Sequence, residues 1–185
     1  MNKKILPIIA VLASAALSAR AQNFVVNGGF EAGDLTGWTI SGDTSFTGVG
    51  TDNPHSGNYE FFSGPTSSDG FLDQTIPTLA DTSYQLEFWL SNNNSSGNNR
   101  FGVTFGGLTL VPEGVFPYFP NYTLFTFANV VPGANADLHF IFYNPPGFFY
   151  LDDVSVNVVP EPGTLGLVAL GAIGLVGAVR KRRFV

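Results

Sequence analysis

The clearest regularity in this chain is a two-residue alternation. In YQLEFWLS, residues 84–91, Tyr84, Leu86, Phe88 and Leu90 fall on one side, and Gln85, Glu87 and Trp89 on the other. In ADLHFIFY, residues 136–143, Leu138, Phe140 and Phe142 oppose Asp137, His139, Ile141 and Tyr143. Successive side chains of a strand point to opposite faces, so each stretch reads as a strand with one buried and one partly wet face. Shorter apolar runs at 24–26, 44–49, 59–62, 71–76, 101–105, 108–111, 123–128 and 149–158 read as further strands, punctuated by Gly, Asn, Ser and Pro. Long amphipathic helical patterns are missing from 22–159. The pattern predicts one all-β domain over 22–158, a two-sheet antiparallel sandwich of jelly-roll type. SNNNSSGNN, residues 91–99, reads as a polar loop within it, and no internal repeat is visible.

The two ends follow another pattern. Lys3 and Lys4 precede an apolar stretch from 5 to 17, and Ala19-Arg20-Ala21 places small residues at −3 and −1 of a cleavage site before Gln22. That is the layout of a Sec-type signal peptide over 1–21, with a retained anchor as the alternative. At the other end, 165–179 holds only Leu, Val, Ala, Ile and Gly. With Thr164 the run 164–179 makes a helix of roughly 24 Å at about 1.5 Å per residue, short for a hydrocarbon core of about 30 Å. Arg180, Lys181, Arg182 and Arg183 follow at once, and basic residues beside a span stay in the cytoplasm. Pro160 and Pro162 stop the helix from extending backwards. Read by its residues alone, this is a transmembrane helix acting as an anchor.

Charge separates the ends from the middle. Seven of the 8 Lys/Arg lie in the two terminal segments, leaving only Arg100 in 22–159. All 14 Asp/Glu except Glu161 lie there, so thirteen negative charges face one positive charge, for a net of −12. Such a surface repels nucleic acid and anionic lipid, and suits neutral partners or divalent cations. With Cys 0, an exported domain of this size has no disulfide and no thiolate chemistry, and depends on its core.

The order Pro160-Glu161-Pro162, apolar span, basic cluster resembles the PEP-CTERM sorting signal, the tripartite tail of exosortase substrates. The resemblance covers 160–185, within a tail segment of 159–185. It implies Sec-dependent export, a membrane intermediate held by the C-terminal helix, processing by an exosortase-type enzyme, and delivery to the cell surface or extracellular matrix.

The domain carries a second resemblance. NFVVNGGFEAGDLTGWTISGD (23–43), HSGNYEFF (55–62), GFLDQTI (70–76), TSYQLEFWLS (82–91) and FFYLDDVSV (148–156) stand in the order seen in galactose-binding-like jelly rolls, a fold shared by many carbohydrate-binding modules. The resemblance implies one structural Ca²⁺ where the first and last strands meet. By motif its ligands are Glu31 and Asp152, with Asp153 as alternate, and carbonyls near the Ser56-Gly57 turn completing the shell. Calcium takes six to eight oxygens. The alternative is that these are ordinary turn and edge carboxylates.

A glycan-binding face needs flat aromatics beside planar polar groups. Trp89 with Gln85 and Glu87, joined by His139 and Tyr143 from another strand, is the candidate set; the alternative is that Trp89 packs in a second layer of core. Trp38 belongs to the fold motif and to the core. The loop VFPYFPNY, 115–122, is either an exposed aromatic contact or a lid. Catalysis is not expected. His55 and His139 come without a Gly-x-Ser-x-Gly elbow, and Asp152 and Asp153, as strand neighbours, should point to opposite faces. The readings are thus a non-catalytic surface or matrix protein associated with extracellular polysaccharide, a glycan-binding module, and, third, a hydrolase.

Overall fold

The computed structural model describes residues 22–159. The expected signal peptide (1–21), transmembrane helix (164–179) and basic end (180–183) lie outside the described residues. Among the described residues no helix is long and apolar enough to cross a membrane. Ten strands follow in chain order: β1 Thr39–Gly42, β2 Thr47–Gly50, β3 Glu60–Ser63, β4 Gly70–Ile76, β5 Tyr84–Asn92, β6 Arg100–Phe105, β7 Leu108–Gly114, β8 Phe119–Val130, β9 Ala136–Tyr143 and β10 Phe149–Val158. They pair into two five-stranded antiparallel sheets, β1-β4-β9-β6-β7 and β2-β3-β10-β5-β8. This is the jelly-roll sandwich that the alternation pointed to.

The inward positions of β5 and β9 are those the pattern named: Leu86, Phe88, Leu90, Leu138, Phe140 and Phe142 are fully buried. The core between the sheets is built mainly of phenylalanine. Phe88 meets Phe140 edge-on at 5.3 Å, and Phe101 meets Phe142 at 5.5 Å. Burying such a ring stabilises the fold by about 1.5–3 kcal/mol, and a well-set aromatic pair adds about 0.5–1.5 kcal/mol. This continuous core holds the domain without any disulfide. Trp38 lies in it, stacked on Phe30 at 5.7 Å, with its indole N–H donating to the Asn27 carbonyl.

Two local expectations change, and one open alternative is decided. Residues 24–26 form no strand. Instead Phe24 N–H donates once to Val156 O, and the Asn23 side chain accepts from the Val25 and Val156 amides, tying the chain start to β10. The stretch 44–49 is a turn followed by β2, because Asp43 folds it back by accepting from Ser45, and β1 lies earlier at Thr39–Gly42. The loop 115–122 is largely a lid: Phe116 and Phe119 pack on the core, β8 begins at Phe119, and Tyr118 alone is exposed among its large aromatics.

Candidate functional site

The loop 51–59 lies over the outer face of the β2-β3-β10-β5-β8 sheet and is pinned by the carboxylates of β10. Asp152 is fully buried. Its Oδ2 accepts from the backbone N–H of His55 at 2.8 Å and of Ser56 at 3.1 Å, and its Oδ1 from Asp153 N–H at 2.7 Å. Burial pushes its carboxyl up to about 6, against the pull of those N–H donors. Asp153 bonds the His55 ring at 2.7 Å and accepts from the Ser56 hydroxyl at 2.8 Å. The two aspartates therefore work on one side. A bulge between Asp152 and Ser155, with Asp153 at φ 48°, breaks the alternation expected of strand neighbours.

His55, Asp152 and Asp153 bring their ligand atoms within 4.8 Å of one another; Glu31 stands outside that group, on the adjacent turn. Its Oε1 accepts from Asn58 and Tyr59 N–H at 2.8 and 2.9 Å, which hold its carboxyl below the usual range. Gly57, at φ 63°, leaves room for it: a Cβ there would stand 2.3 Å from the Glu31 carboxyl carbon. The Ser56-Gly57 turn also brings the backbone N–H groups of Ser56 and Asn58 to the carboxylates of Asp152 and Glu31. The chemistry still suits a hard cation at Asp152 and Asp153. Two neighbouring carboxylates, one of them buried, carry negative charge that among the described residues has the His55 ring as its one basic neighbour.

The candidate sugar-binding set divides. Trp89, Gln85 and Glu87 lie on β5 in one sheet, while His139 and Tyr143 lie on β9 in the other, on opposite outer faces of the sandwich. Sequence alternation assigns faces within a strand and says nothing about which sheet a strand joins. Each aromatic ring is also occupied. His55 stacks on Trp89 at 3.9 Å and 18°. Phe71 stacks on His139 at 5.2 Å, and the His139 Nδ1 bonds Asp73. Arg100 sits 4.2 Å over Tyr143 and is held by Asp69 and Glu113. The domain's one basic side chain is therefore engaged.

A different aromatic group stays partly open. Phe62 on β3, Phe148 before β10 and Tyr150 on β10 form a strip with ring centroids 5.9 Å (Phe62–Phe148) and 6.1 Å (Phe148–Tyr150) apart, all half-buried. The outward parity of Phe62 and Tyr150 could have marked them; the contribution of Phe148 and the 91–99 loop depends on tertiary contact. Beside the strip, residues 93–96 and 146–148 line an open concavity of about 320 Å³. Among the described residues neither imidazole is hydrogen-bonded to a hydroxyl.

Residues 158–183 match the model of the PEP-CTERM protein-sorting motif. The motif implies export to the cell envelope or surface and processing by an exosortase. No curated protein matches the sequence. Solved structures share the fold. The structure of TmCBM61 in complex with β-1,4-galactotriose is similar at 18% identity and TM-score 0.61, over 75% of this chain and 100% of that one. The CBM22-1 xylan-binding domain of Paenibacillus barcinonensis Xyn10C is similar at 12% and 0.56, over 78% and 99%. The enzymatically active domain of bacteriophage CBA120 tailspike protein 4 is similar at 20% and 0.57, over 74% of this chain and 21% of that one.

Proposed function

We propose that this is a non-catalytic module, exported through Sec, held in the membrane by its C-terminal helix until an exosortase acts on the tail, and then associated with neutral extracellular polysaccharide. The observation that carries the glycan reading is the half-exposed Phe62–Phe148–Tyr150 strip on a jelly roll of the carbohydrate-binding-module type. Its three rings offer apolar surface for sugar faces beside the Asn93 amide, which touches the Tyr150 hydroxyl. The test is retardation of the full chain, kept in detergent, in native gels containing galactan, xylan or β-glucan. Retardation by at least one supports the reading, and none overturns it. Mass spectrometry of the protein recovered from its host should find an N-terminus at Gln22 and loss of the basic end; an intact residue 1–185 chain would overturn the export route.

One structural Ca²⁺, anchored by Asp152 and Asp153 with Glu31 from the adjacent turn, is part of the same proposal. What supports it is the carboxylate pair on β10, with Asp152 buried and Asp153 beside it partly exposed. Bound there, the ion would join the chain start, the 51–59 loop and the last strand.

A further inference from the structure

We propose that the concavity between residues 93–96 and 146–148 is the specificity site of this module and takes one or two rings of a neutral glycan, an inference that rests on the glycan-binding reading above. Its volume of about 320 Å³ lies at the small end of ligand pockets, about 300–1,000 Å³. Its lining joins Asn93, Ser95 and Ser96 to Pro146 and Phe148, with Asn94 buried behind them and no charged side chain. That is the mixture a sugar ring requires: flat apolar contact on one face and short, neutral donors and acceptors around the hydroxyls.

The walls of the pocket are tied together by hydrogen bonds. Beneath it Asn92, Asn94 and Asn144 are buried and joined in a ladder. Asn94 Nδ2 donates to Asn144 Oδ1 at 2.7 Å and to the Pro145 carbonyl at 3.0 Å. Asn144 Nδ2 donates to Asn92 Oδ1 at 3.0 Å, and Asn94 Oδ1 accepts from Ser96 N–H at 2.8 Å. Asn93 ties the two walls: its Oδ1 accepts from Phe148 N–H at 2.6 Å, and its backbone N–H donates to Phe148 O at 3.1 Å. Burying amides is unfavourable unless each is satisfied, and a connecting loop needs no such ladder to turn the chain. A ladder that fixes polar groups beside an aromatic one lowers the ordering cost of binding.

Position and charge agree. β10 starts at Phe149 beside the pocket and ends at Val158, where the tail begins, about 30 Å away at roughly 3.3 Å per residue. A chain tethered by its tail would thus present the pocket outward. A domain of net charge −12 disfavours uronate or sulfated polymers, so the ligand is neutral.

The test uses the full chain in detergent, in native gels containing galactan, xylan, β-glucan or, as the anionic arm, alginate. Phe148→Ala removes the aromatic wall. Ser95→Trp fills the concavity from an exposed position, so it reports even where Phe148→Ala disturbs the fold. The expected result is retardation by a neutral polymer that both variants weaken about tenfold or more, with Trp89→Ala within twofold of the natural chain. Loss in Trp89→Ala with retention in the other two moves the site to the β5 face and overturns the pocket alone; retention in all three does the same. Stronger retardation by alginate overturns the neutral class. No retardation of the natural chain in any gel overturns the glycan reading itself.

Discussion

Replacing Glu60 by Gln should stabilise the domain, and more so at high pH than at low. Glu60 opens β3 and is 1% exposed. Its Oε1 accepts from Asp52 N–H at 3.2 Å, while its Oε2 is buried with no partner among the described residues. Burial raises its pKa, and the Asp52 charge adds to the shift against the backbone N–H groups of Asn53 and Asp52. In the unfolded chain the group ionises near 4.3. Because the folded pKa is higher, the native chain loses stability as pH rises from about 4.3 through the folded value, and below that range the penalty is absent. Gln keeps the length and the Oε1 acceptor but carries no charge. An unsatisfied buried polar group costs about 1–3 kcal/mol, and a charged one more. The neutral amide still leaves donors to be satisfied, so the expected net gain is about 1 kcal/mol at pH 8. For a domain of this size that is roughly 3–5 °C in Tm. Thermal melts of both chains at pH 4 and pH 8, followed by near-ultraviolet circular dichroism, measure it. A Glu60→Gln melt below that of the natural chain at pH 8, or an offset equal at the two pH values, would refute the reasoning.

Other expectations follow from single contacts. Asp43 accepts from the Ser45 hydroxyl and from Ser67, Ser45 and Ser68 N–H, which hold its carboxyl far below the usual carboxylate range. Its stabilisation is complete above the unfolded value near 3.9 and is lost as pH falls through the folded one, so Asp43→Asn should flatten the acid limb of the stability curve; an unchanged limb in denaturant titrations would count against it. Chelation should lower Tm by roughly 10 °C if calcium stands near 100 times its Kd, a contribution of about 2.7 kcal/mol. Glu31→Ala should remove that sensitivity, whereas a melt indifferent to chelator would end the calcium proposal. Phe140 is fully buried against Trp38, Phe88 and Phe142, so Phe140→Ala should cost about 3–5 kcal/mol in urea titrations, and a loss below about 1 kcal/mol would mean that the sheets repack around the gap.

What the sequence made legible was whatever depends on local periodicity. The faces of β5 and β9 were readable to the residue, because burial on one side of a pleat imposes a period of two and nothing else produces it. Trp89 shows the limit. Its outward position was readable, but the ring that covers it comes from His55, thirty-four positions earlier, through a loop held by Asp152 and Asp153. The bulge at Asp153 was equally hidden, since no Gly or Pro marks it and the φ of 48° is imposed by contacts with His55 and Ser56. The split of Trp89 from His139 and Tyr143 is a matter of sheet order, which depends on crossover connections. The Asn ladder illustrates the converse: a run that reads as loop by composition is buried at Asn92, Asn94 and Asn99 because its amides find partners at Asn144 and Pro145 and at Phe116 and Pro117.

The strand that leads to the sorting motif is also the one best able to bear it. In the order β2-β3-β10-β5-β8, β10 is central and hydrogen-bonded on both sides, to β3 over Phe149–Leu151 and to β5 along nearly its whole length. Its last residues are held again from outside the sheet. Val156 N–H donates to the Asn23 side chain and Val159 N–H to Ser83 O. A pull along the tail therefore shears many backbone hydrogen bonds at once, whereas the same pull on an edge strand would part them one after another. The other end of β10 begins at Phe149, directly after the Pro146–Phe148 wall. One strand thus connects the start of the sorting motif to the surface proposed to recognise its ligand, and a load carried by the first need not disturb the second.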